Sequence, residues 1–372
     1  MTPEEYVLFA LSLAQKANHK DIKGNPFVGA IVVDEKGAVI GTGYHKIWGS
    51  KHAEVYAIEE ALAHNPDLTK CSLYVTLEPC SHHGKTPPCT DLIVQSGIKK
   101  VFVGSLDPNP KVSGFELLKQ KGIDIELIEL KEALELNKVF FTNQKKQKPF
   151  VALKIAATID GKIADHAGTS KWITNEQSRA YLHAHIRSQV DAILSTAKTV
   201  IEDQATLNCR IAGKEAAEIN AVIIDRTGSL LQATNNGHPI FYKRSHTQLY
   251  IVTAPSAVDG SLALPHNTHI VEIDFNSKGQ VNLEMLGKKL LSLEMYNVLV
   301  EAGAMFNSFL LEQNWANELH YFMGSKLLLD AGGLHAFIGT EHKNLADSKN
   351  LSVISAQTLS NDIYLHYAID SL

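Results

Sequence analysis

The sequence predicts an α/β fold in two domains, and three observations carry that expectation. Apolar runs of strand length alternate with amphipathic stretches of helical spacing along the whole chain. The chain has 372 residues, more than one ordinary core needs. A polar, basic segment ending in proline, Asn143-Gln144-Lys145-Lys146-Gln147-Lys148-Pro149, interrupts the alternation, and an apolar strand, Phe150–Ala157, starts at once. That segment is the expected loop junction between residues 1–146 and residues 147–372.

In the first part, residues 3–18 place apolar side chains at helical spacing. Val28–Val33 reads as a strand, Asp34-Glu35-Lys36-Gly37 as a turn and Ala38–Gly43 as a second strand. A helix from Ala53 to Ala63 puts Ala57, Ile58, Ala61 and Leu62 on one stripe. Strands follow at Ser72–Leu77, Val101–Gly104 and Ile123–Ile128, with helices between them, so the sheet carries helices on its faces. In the second part, strands are expected near Ala192–Thr196, Ala221–Asp225, Leu249–Thr253, His269–Ile273, Val298–Glu301, Glu318–Met323 and Ile363–Ile369. Helices are expected at Glu176–Gln189, Leu283–Leu293 and Met305–Gln313. Thr174-Asn175-Glu176-Gln177 fits a capping box opening the first of these.

A net charge of −5 without a long basic run argues against an extended nucleic-acid surface. No apolar run is long enough to span a membrane, and Glu4 and Glu5 stand where a signal peptide carries basic residues. With four cysteines and no sign of secretion, a reducing, cytoplasmic setting is expected, where cysteines bind metal more often than they pair.

One constellation points to chemistry. His52-Ala53-Glu54 lies at a helix start, Pro79-Cys80 follows a strand, and Cys89 precedes the apolar helical stretch Leu92-Ile93-Val94. His52, Cys80 and Cys89 supply three zinc ligands, one fewer than a structural site wants, leaving a fourth position for water. Glu54 sits close enough to carry protons without being a ligand, the arrangement of a zinc-dependent deaminase. Helix starts also favour thiolate over thiol. A lone His-x-Glu or two separate buried thiols would mean little; together, with Glu-Pro-Cys after a strand and Thr-Pro-Pro-Cys before a helix, the pattern is specific. Cys71 and Cys209 lack such context and read as structural thiols.

The segment Thr76-Leu77-Glu78-Pro79-Cys80-Ser81-His82-His83-Gly84-Lys85-Thr86-Pro87-Pro88-Cys89 closely resembles the bifunctional deaminase–reductase family of bacterial riboflavin biosynthesis. So do Asn25-Pro26-Phe27-Val28-Gly29 and Asp107-Pro108-Asn109-Pro110. The resemblance implies a cytidine-deaminase-like α/β/α domain over residues 1–146. This domain would remove the 2-amino group of 2,5-diamino-6-ribosylamino-4(3H)-pyrimidinone 5′-phosphate, with Asn25, His45, His82, Lys85, Asp107 and Asn109 contacting that substrate. Asn, Asp and His suit a pyrimidine edge, and Lys85 suits a phosphate. One departure stands out: Ser113-Gly114-Phe115-Glu116-Leu117 is about two residues shorter than the family's loop and lacks its basic residue.

Residues 147–372 resemble the same family's dihydrofolate-reductase-like domain, through Lys154 to Lys162, Ser170 to Thr174, Arg187, and Thr199 to Arg210. The resemblance implies NADPH, held without a Rossmann motif, since no GxGxxG is present. Lys154, Ala157, Asp160, Trp172, Thr199, Asp203 and Gly303 are the implied cofactor residues. Ser170, Arg187, Leu207, Arg210 and Glu301 are the implied substrate residues, with Arg187 at the phosphate and Asp203 the acid aiding ring opening. Val300-Glu301-Ala302-Gly303, between a strand and a helix, can present backbone N–H groups to a phosphate. Two departures, Ala205 for a family proline and Gly324-Ser325 for Ala-Pro, leave open an alternative in which the deaminase is active and the reductase domain inactive. The loss of proline at 205 is expected to raise loop flexibility. The expected partners are a small pyrimidine nucleotide and further copies of this chain, as a dimer or tetramer, with no nucleic acid and no membrane.

Overall fold

The computed structural model describes residues 1–82, 87–211, 213, 219–232, 237–244, 247–257, 264–339 and 344–369. The chain forms two compact units, Met1–Gln147 and Lys148–Leu372.

The first unit runs α1 (Pro3–Ala14), α2 (His19–Ile22), β1 (Gly29–Val33), β2 (Val39–Tyr44), α3 (Ala53–His64), β3 (Ser72–Val75), α4 (Cys89–Gln95), β4 (Lys100–Val103), α5 (Gly114–Gln120), β5 (Asp124–Leu127), α6 (Lys131–Leu136) and α7 (Lys138–Lys146). Its sheet has the order β2-β1-β3-β4-β5 among the described residues. β1 lies antiparallel to β2 and β3, and β3, β4 and β5 run parallel. Alternation along β1 sends Ala30 and Val32 to one face and Ile31 and Val33 to the other. The first pair joins Ala57, Ile58 and Ala61 of α3 with Ile93 of α4, and the second joins Tyr6, Val7, Ala10 and Leu11 of α1. Both faces are covered, which makes a three-layer α/β/α unit.

Two expectations for this unit need correction. The helix expected over 3–18 stops at Ala14, because Asn18 accepts a hydrogen bond from Lys20 N and caps a separate short helix. The segment read as a junction loop is mostly helix: Asn143 to Lys146 form the last turn of α7, and the break comes at Gln147, in the left-handed region at φ 50°.

The second unit comprises β6 (Phe150–Thr158), β7 (Lys162–Ala164), α8 (Glu176–Tyr181), β8 (Ala192–Thr196), α9 (Ala197–Asp203), β9 (Asn220–Ile224), α10 (Ser229–Gln232), α11 (Pro239–Tyr242), β10 (Leu249–Thr253), β11 (Thr268–Glu272), α12 (Leu283–Ser292), β12 (Asn297–Val300), α13 (Ala304–Glu312), β13 (Glu318–Gly324), β14 (Leu334–His335), β15 (Ser352–Leu359) and β16 (Asp362–Ala368). The main sheet has the order β11-β10-β9-β8-β12-β6-β13-β16-β15 among the described residues. It is parallel up to β13, and β16 and β15 are antiparallel additions. β7 and β14 form a small separate ribbon. β15 went unread in the sequence because it lies at the sheet edge, with side chains exposed over most of its length.

The helix expected over Glu176–Gln189 also needs correction. It is α-helical to Tyr181, π-helical over Leu182–Ile186 and 3-10 over Arg187–Gln189. Its cap is Asn175, whose side chain accepts from Ser178 N, one position after the Thr174 cap expected.

Candidate functional site

In the first unit, the strand–helix junctions bring the metal candidates together. His52 is the N-cap of α3 in extended conformation and makes no side-chain cap bond. Its Nδ1 faces both thiols, at 3.5 Å from Cys80 Sγ and 3.3 Å from Cys89 Sγ. Cys89 opens α4, and its backbone N–H donates to Cys80 Sγ at 3.3 Å. Tetrahedral zinc with ordinary Zn–S and Zn–N lengths separates such N and S ligands by about 3.6 Å, so the set fits that ion. The hydrogen bond from the Cys89 thiol, and then His52, pulls the Cys80 thiol down to about 4, while that same pairing and burial push Cys89 up.

Glu54 stands in the first turn of α3 and is 3% exposed. Burial pushes its carboxyl above the ordinary range, as suits a group that accepts a proton and then gives it up. His52 and Glu54 owe their place to β2, because a Cβ on Gly41 or Gly43 would lie 2.1 Å from the carbonyl of Ala57 or Ala53 respectively. Only glycine lets α3 settle this close to the strand.

A cavity of about 330 Å³ opens at the triad, and its lining includes Asn25, His45, Glu54, His82, Asp107 and Asn109. Asn25 Nδ2 lies 3.2 Å from His45 Nε2, and burial holds His45 below its usual pKa. Burial also pushes Asp107 up to about 6, and its Oδ1 accepts from Asn109 N at 2.8 Å. His82 is exposed, and Lys85 lies outside the described residues.

Trp48, Phe140 and Gln144 also line the cavity and were missed in the sequence. Phe140 and Gln144 belong to α7, which Asn137 ties to Phe27: its Oδ1 accepts Phe27 N at 2.7 Å and its Nδ2 donates to Phe27 O at 3.0 Å. Reading part of α7 as a junction loop hid this wall.

In the second unit, a charged cluster lies around the end of β12. Arg187 donates from Nε and Nη2 to the two oxygens of Glu301 and from Nη1 to Asn208 O. All three guanidinium nitrogens therefore have partners within the protein. Lys154 Nζ is 3.9 Å from the same carboxylate. Burial alone would raise Glu301, but Arg187 and Lys154 overcome it and hold the carboxyl down at about 2. Burial pushes Lys154 down. Ser170 Oγ donates to Asp203 Oδ1 at 2.8 Å, and Lys171 Nζ reaches Asp203 O. Thr199 Oγ1 lies 3.1 Å from Thr196 Oγ1, Leu207 is buried with φ 48°, and the Arg210 side chain is exposed while its N–H donates to His183 Nδ1.

Three further expected residues stand apart in character. Ala157 packs into the core on the opposite sheet face from Ala152 and Ala156, so it can offer a ligand only backbone. Asp160 accepts from Thr158 Oγ1 and from the backbone of Leu328 and Leu329, which ties down the following loop. Trp172 is exposed, with the Arg179 guanidinium 4.4 Å from its ring centre.

Both departures in this unit gain a bond that proline has no N–H to make. Ala205 N donates to Val200 O at 3.1 Å, which offsets the flexibility expected from losing the proline, and Ser325 N donates to Asp362 Oδ1 at 3.3 Å. Gly303 is the N-cap of α13 without a side-chain cap bond, so N–H groups there remain available to a phosphate. A second cavity lies at the carboxyl ends of β9, β10 and β11, lined by Arg226, Thr227 and Asn276 among others. That cavity also carries the Asp274 carboxylate, so of these two features the start of α13 is the one suited to an anionic phosphate.

Among the described residues, no helix is long and apolar enough to cross a membrane. The family model for the RibD C-terminal domain matches residues 149–365, and that for the cytidine and deoxycytidylate deaminase zinc-binding region matches residues 1–105. The riboflavin biosynthesis protein RibD of Escherichia coli is 33% identical, over 98% of this chain and 99% of its own length. That of Actinobacillus pleuropneumoniae is 34% identical, over 100% of this chain and 96% of its own length. The crystal structure of a diaminohydroxyphosphoribosylaminopyrimidine deaminase/5-amino-6-(5-phosphoribosylamino)uracil reductase from Thermotoga maritima superposes with a TM-score of 0.81, at 34% identity over 99% of both chains. Acinetobacter baumannii RibD gives the same score at 29% identity, over 99% of both chains. The chain therefore belongs to the RibD family of riboflavin biosynthesis proteins.

Proposed function

We propose that this chain performs two consecutive steps: deamination of 2,5-diamino-6-ribosylamino-4(3H)-pyrimidinone 5′-phosphate by residues 1–146, then reduction of the ribosyl group to ribityl by residues 147–372. The observation that carries the reading is the convergence of His52, Cys80 and Cys89 beside buried Glu54, in a cavity also lined by polar side chains suited to a pyrimidine.

His52, Cys80 and Cys89 would hold a zinc ion, which when bound would supply a water of lowered pKa, about 7. Glu54 would take one proton from the attacking water and give it to the pyrimidine ring nitrogen, then take the second from the oxygen that has added to the ring carbon and give it to the amine as the C–N bond breaks and ammonia leaves. Asn25, His45, His82, Asp107 and Asn109 orient the base, and Lys85 meets the phosphate.

In the reductase, NADPH when bound would supply the hydride. Asp203, oriented by Ser170 Oγ, gives the proton that opens the ribose ring. Glu301 faces the sugar, with the cofactor residue Lys154 beside its carboxylate. Arg187, which also fixes Glu301, serves the substrate phosphate, and Leu207 and Arg210 complete the substrate side. Ala157, Asp160, Trp172, Thr199 and Gly303 form the cofactor side, and the open start of α13 takes a phosphate. We place the enzyme in the cytoplasm, as a homo-oligomer. The backbone bonds gained at Ala205 and Ser325 support an active reductase over the inactive alternative.

The test supplies the diaminopyrimidine nucleotide with and without NADPH and follows ammonia and NADPH together. Ammonia is released in both cases, and NADPH is consumed only after deamination. Glu54→Ala stops ammonia release at full zinc content, a loss of roughly 10²–10⁴-fold. Deamination that survives this substitution refutes the assignment.

A further inference from the structure

In the first unit, one buried carboxylate is not used by the chemistry above. Glu78 follows β3, two residues before Cys80, and is 8% exposed. Its Oε2 accepts the backbone N–H of Asp107 at 3.0 Å, and its Oε1 accepts that of Phe115 at 2.8 Å. These two donors bracket the loop that carries Asp107 and Asn109, so one side chain closes both ends of it. Charge-assisted bonds of this kind, away from water, are stronger than neutral ones.

Neighbouring contacts reinforce the closure. Glu78 N donates to Ser105 O at 2.9 Å, and Ser113 N donates to Ser81 Oγ at 2.9 Å. Gly114 touches the strand-end segment so closely that a Cβ there would lie 1.8 Å from Pro79 O. The segment ending in the metal ligand Cys80 and the loop ending at α5 are thus held together at 78, 79 and 81. The loop between these two donors is short. A short loop has little chain of its own with which to fix its position.

We propose that Glu78, which borders the same cavity, is a positioning residue for the deamination: its two oxygens are taken by the N–H groups of Asp107 and Phe115, and it holds Asp107 and Asn109 against the substrate by fixing their backbone. The proposal rests on the deaminase reading above. It predicts a separation between binding and metal retention, because the clamp acts on the loop while His52, Cys80 and Cys89 are untouched.

The test compares wild type, Glu78→Gln and Glu78→Ala as full-length holoenzymes. For each, zinc per chain, KM and kcat for ammonia release from the diaminopyrimidine nucleotide, and NADPH oxidation on separately supplied deaminated product are measured. Gln keeps one acceptor oxygen and Ala keeps none. Expected are one zinc per chain in all three and unchanged NADPH oxidation. KM for ammonia release rises roughly tenfold in Glu78→Gln and further in Glu78→Ala, with kcat less affected than KM. Unchanged KM at full zinc overturns the proposal. Loss of zinc with unchanged KM in the loaded fraction also overturns it and makes Glu78 a support of the metal site. Wild type that releases no ammonia refutes the deaminase reading, and the inference with it.

Discussion

Arg187 holds Glu301 through two parallel hydrogen bonds, Nε to Oε1 at 2.6 Å and Nη2 to Oε2 at 2.8 Å. Both side chains are nearly buried, so neither charge has water as a substitute partner. The pair is a fork-to-fork contact of the kind only arginine makes.

Removing Arg187 takes both hydrogen bonds from Glu301 and leaves it Lys154 at 3.9 Å. Arg187→Ala is expected to destabilise the second unit by at most about 3–5 kcal/mol, the cost of breaking a buried ion pair, because Lys154 still offsets part of the Glu301 charge. Denaturant unfolding of that unit measures it. NADPH oxidation falls sharply, whereas ammonia release is retained.

Acid should weaken the same unit in two stages. Burial, then the charges of Arg187 and Arg210, push His183 down to about 4 from 6.5. Its folded value lies below its unfolded one, so its contribution is present above pH 6.5 and is lost as pH falls towards 4. Glu301, held at about 2 against 4.5, contributes above pH 4.5 and is lost as pH falls towards 2. Unfolding free energy followed from pH 7 to 2 shows both declines. His183→Asn, which keeps an acceptor for Arg210 N, removes the first decline and leaves the second.

Chelation should divide the two activities. A strong zinc chelator abolishes ammonia release and leaves NADPH oxidation on the deaminated product intact. Loss of zinc also returns a proton to the Cys80–Cys89 pair, so chelation is accompanied by proton uptake, which is measurable in weak buffer.

Asp107 gives a pH signature for deamination. Burial raises it to about 6 from 3.8, so its contribution to stability is full below pH 3.8 and is lost as pH rises through 6. The ionised form needed to accept from the pyrimidine is thus the costly one, and a bound donor recovers that cost. kcat/KM for deamination is expected to fall as pH drops through about 6, and Asp107→Asn lowers the plateau and removes that limb. A limb that persists in the variant belongs to another group.

Much of this was legible in the sequence because it is local. His52 and Cys89 stand beside apolar helical stripes, and the strand that leads to Cys80, Ser72–Val75, is a short, largely apolar run. Glu54 follows from its distance of two residues from His52. What stayed hidden depends on long-range contact. Trp48, Phe140 and Gln144 join the cavity wall through tertiary packing, and no periodicity marks them. The role of Glu78 depends on two backbone N–H groups from a loop that starts 29 residues further on. The change from α to π helix after Tyr181 leaves the apolar pattern nearly intact, so the segment reads as one helix. β15 lacks the inward-facing apolar face by which other strands are recognised.

The seating of α3 on Gly41 and Gly43 has a consequence for how the site can fail. His52 and Glu54 flank Ala53 at the start of a single helix, so their mutual spacing is a property of one helical turn. Tertiary packing governs where that pair sits relative to Cys80 and Cys89, which come from other elements. A misfit at the glycine bearing therefore shifts ligand and proton carrier as one body. Grip on the ion and speed of turnover then decline in step, and a change at Glu54 itself touches speed alone.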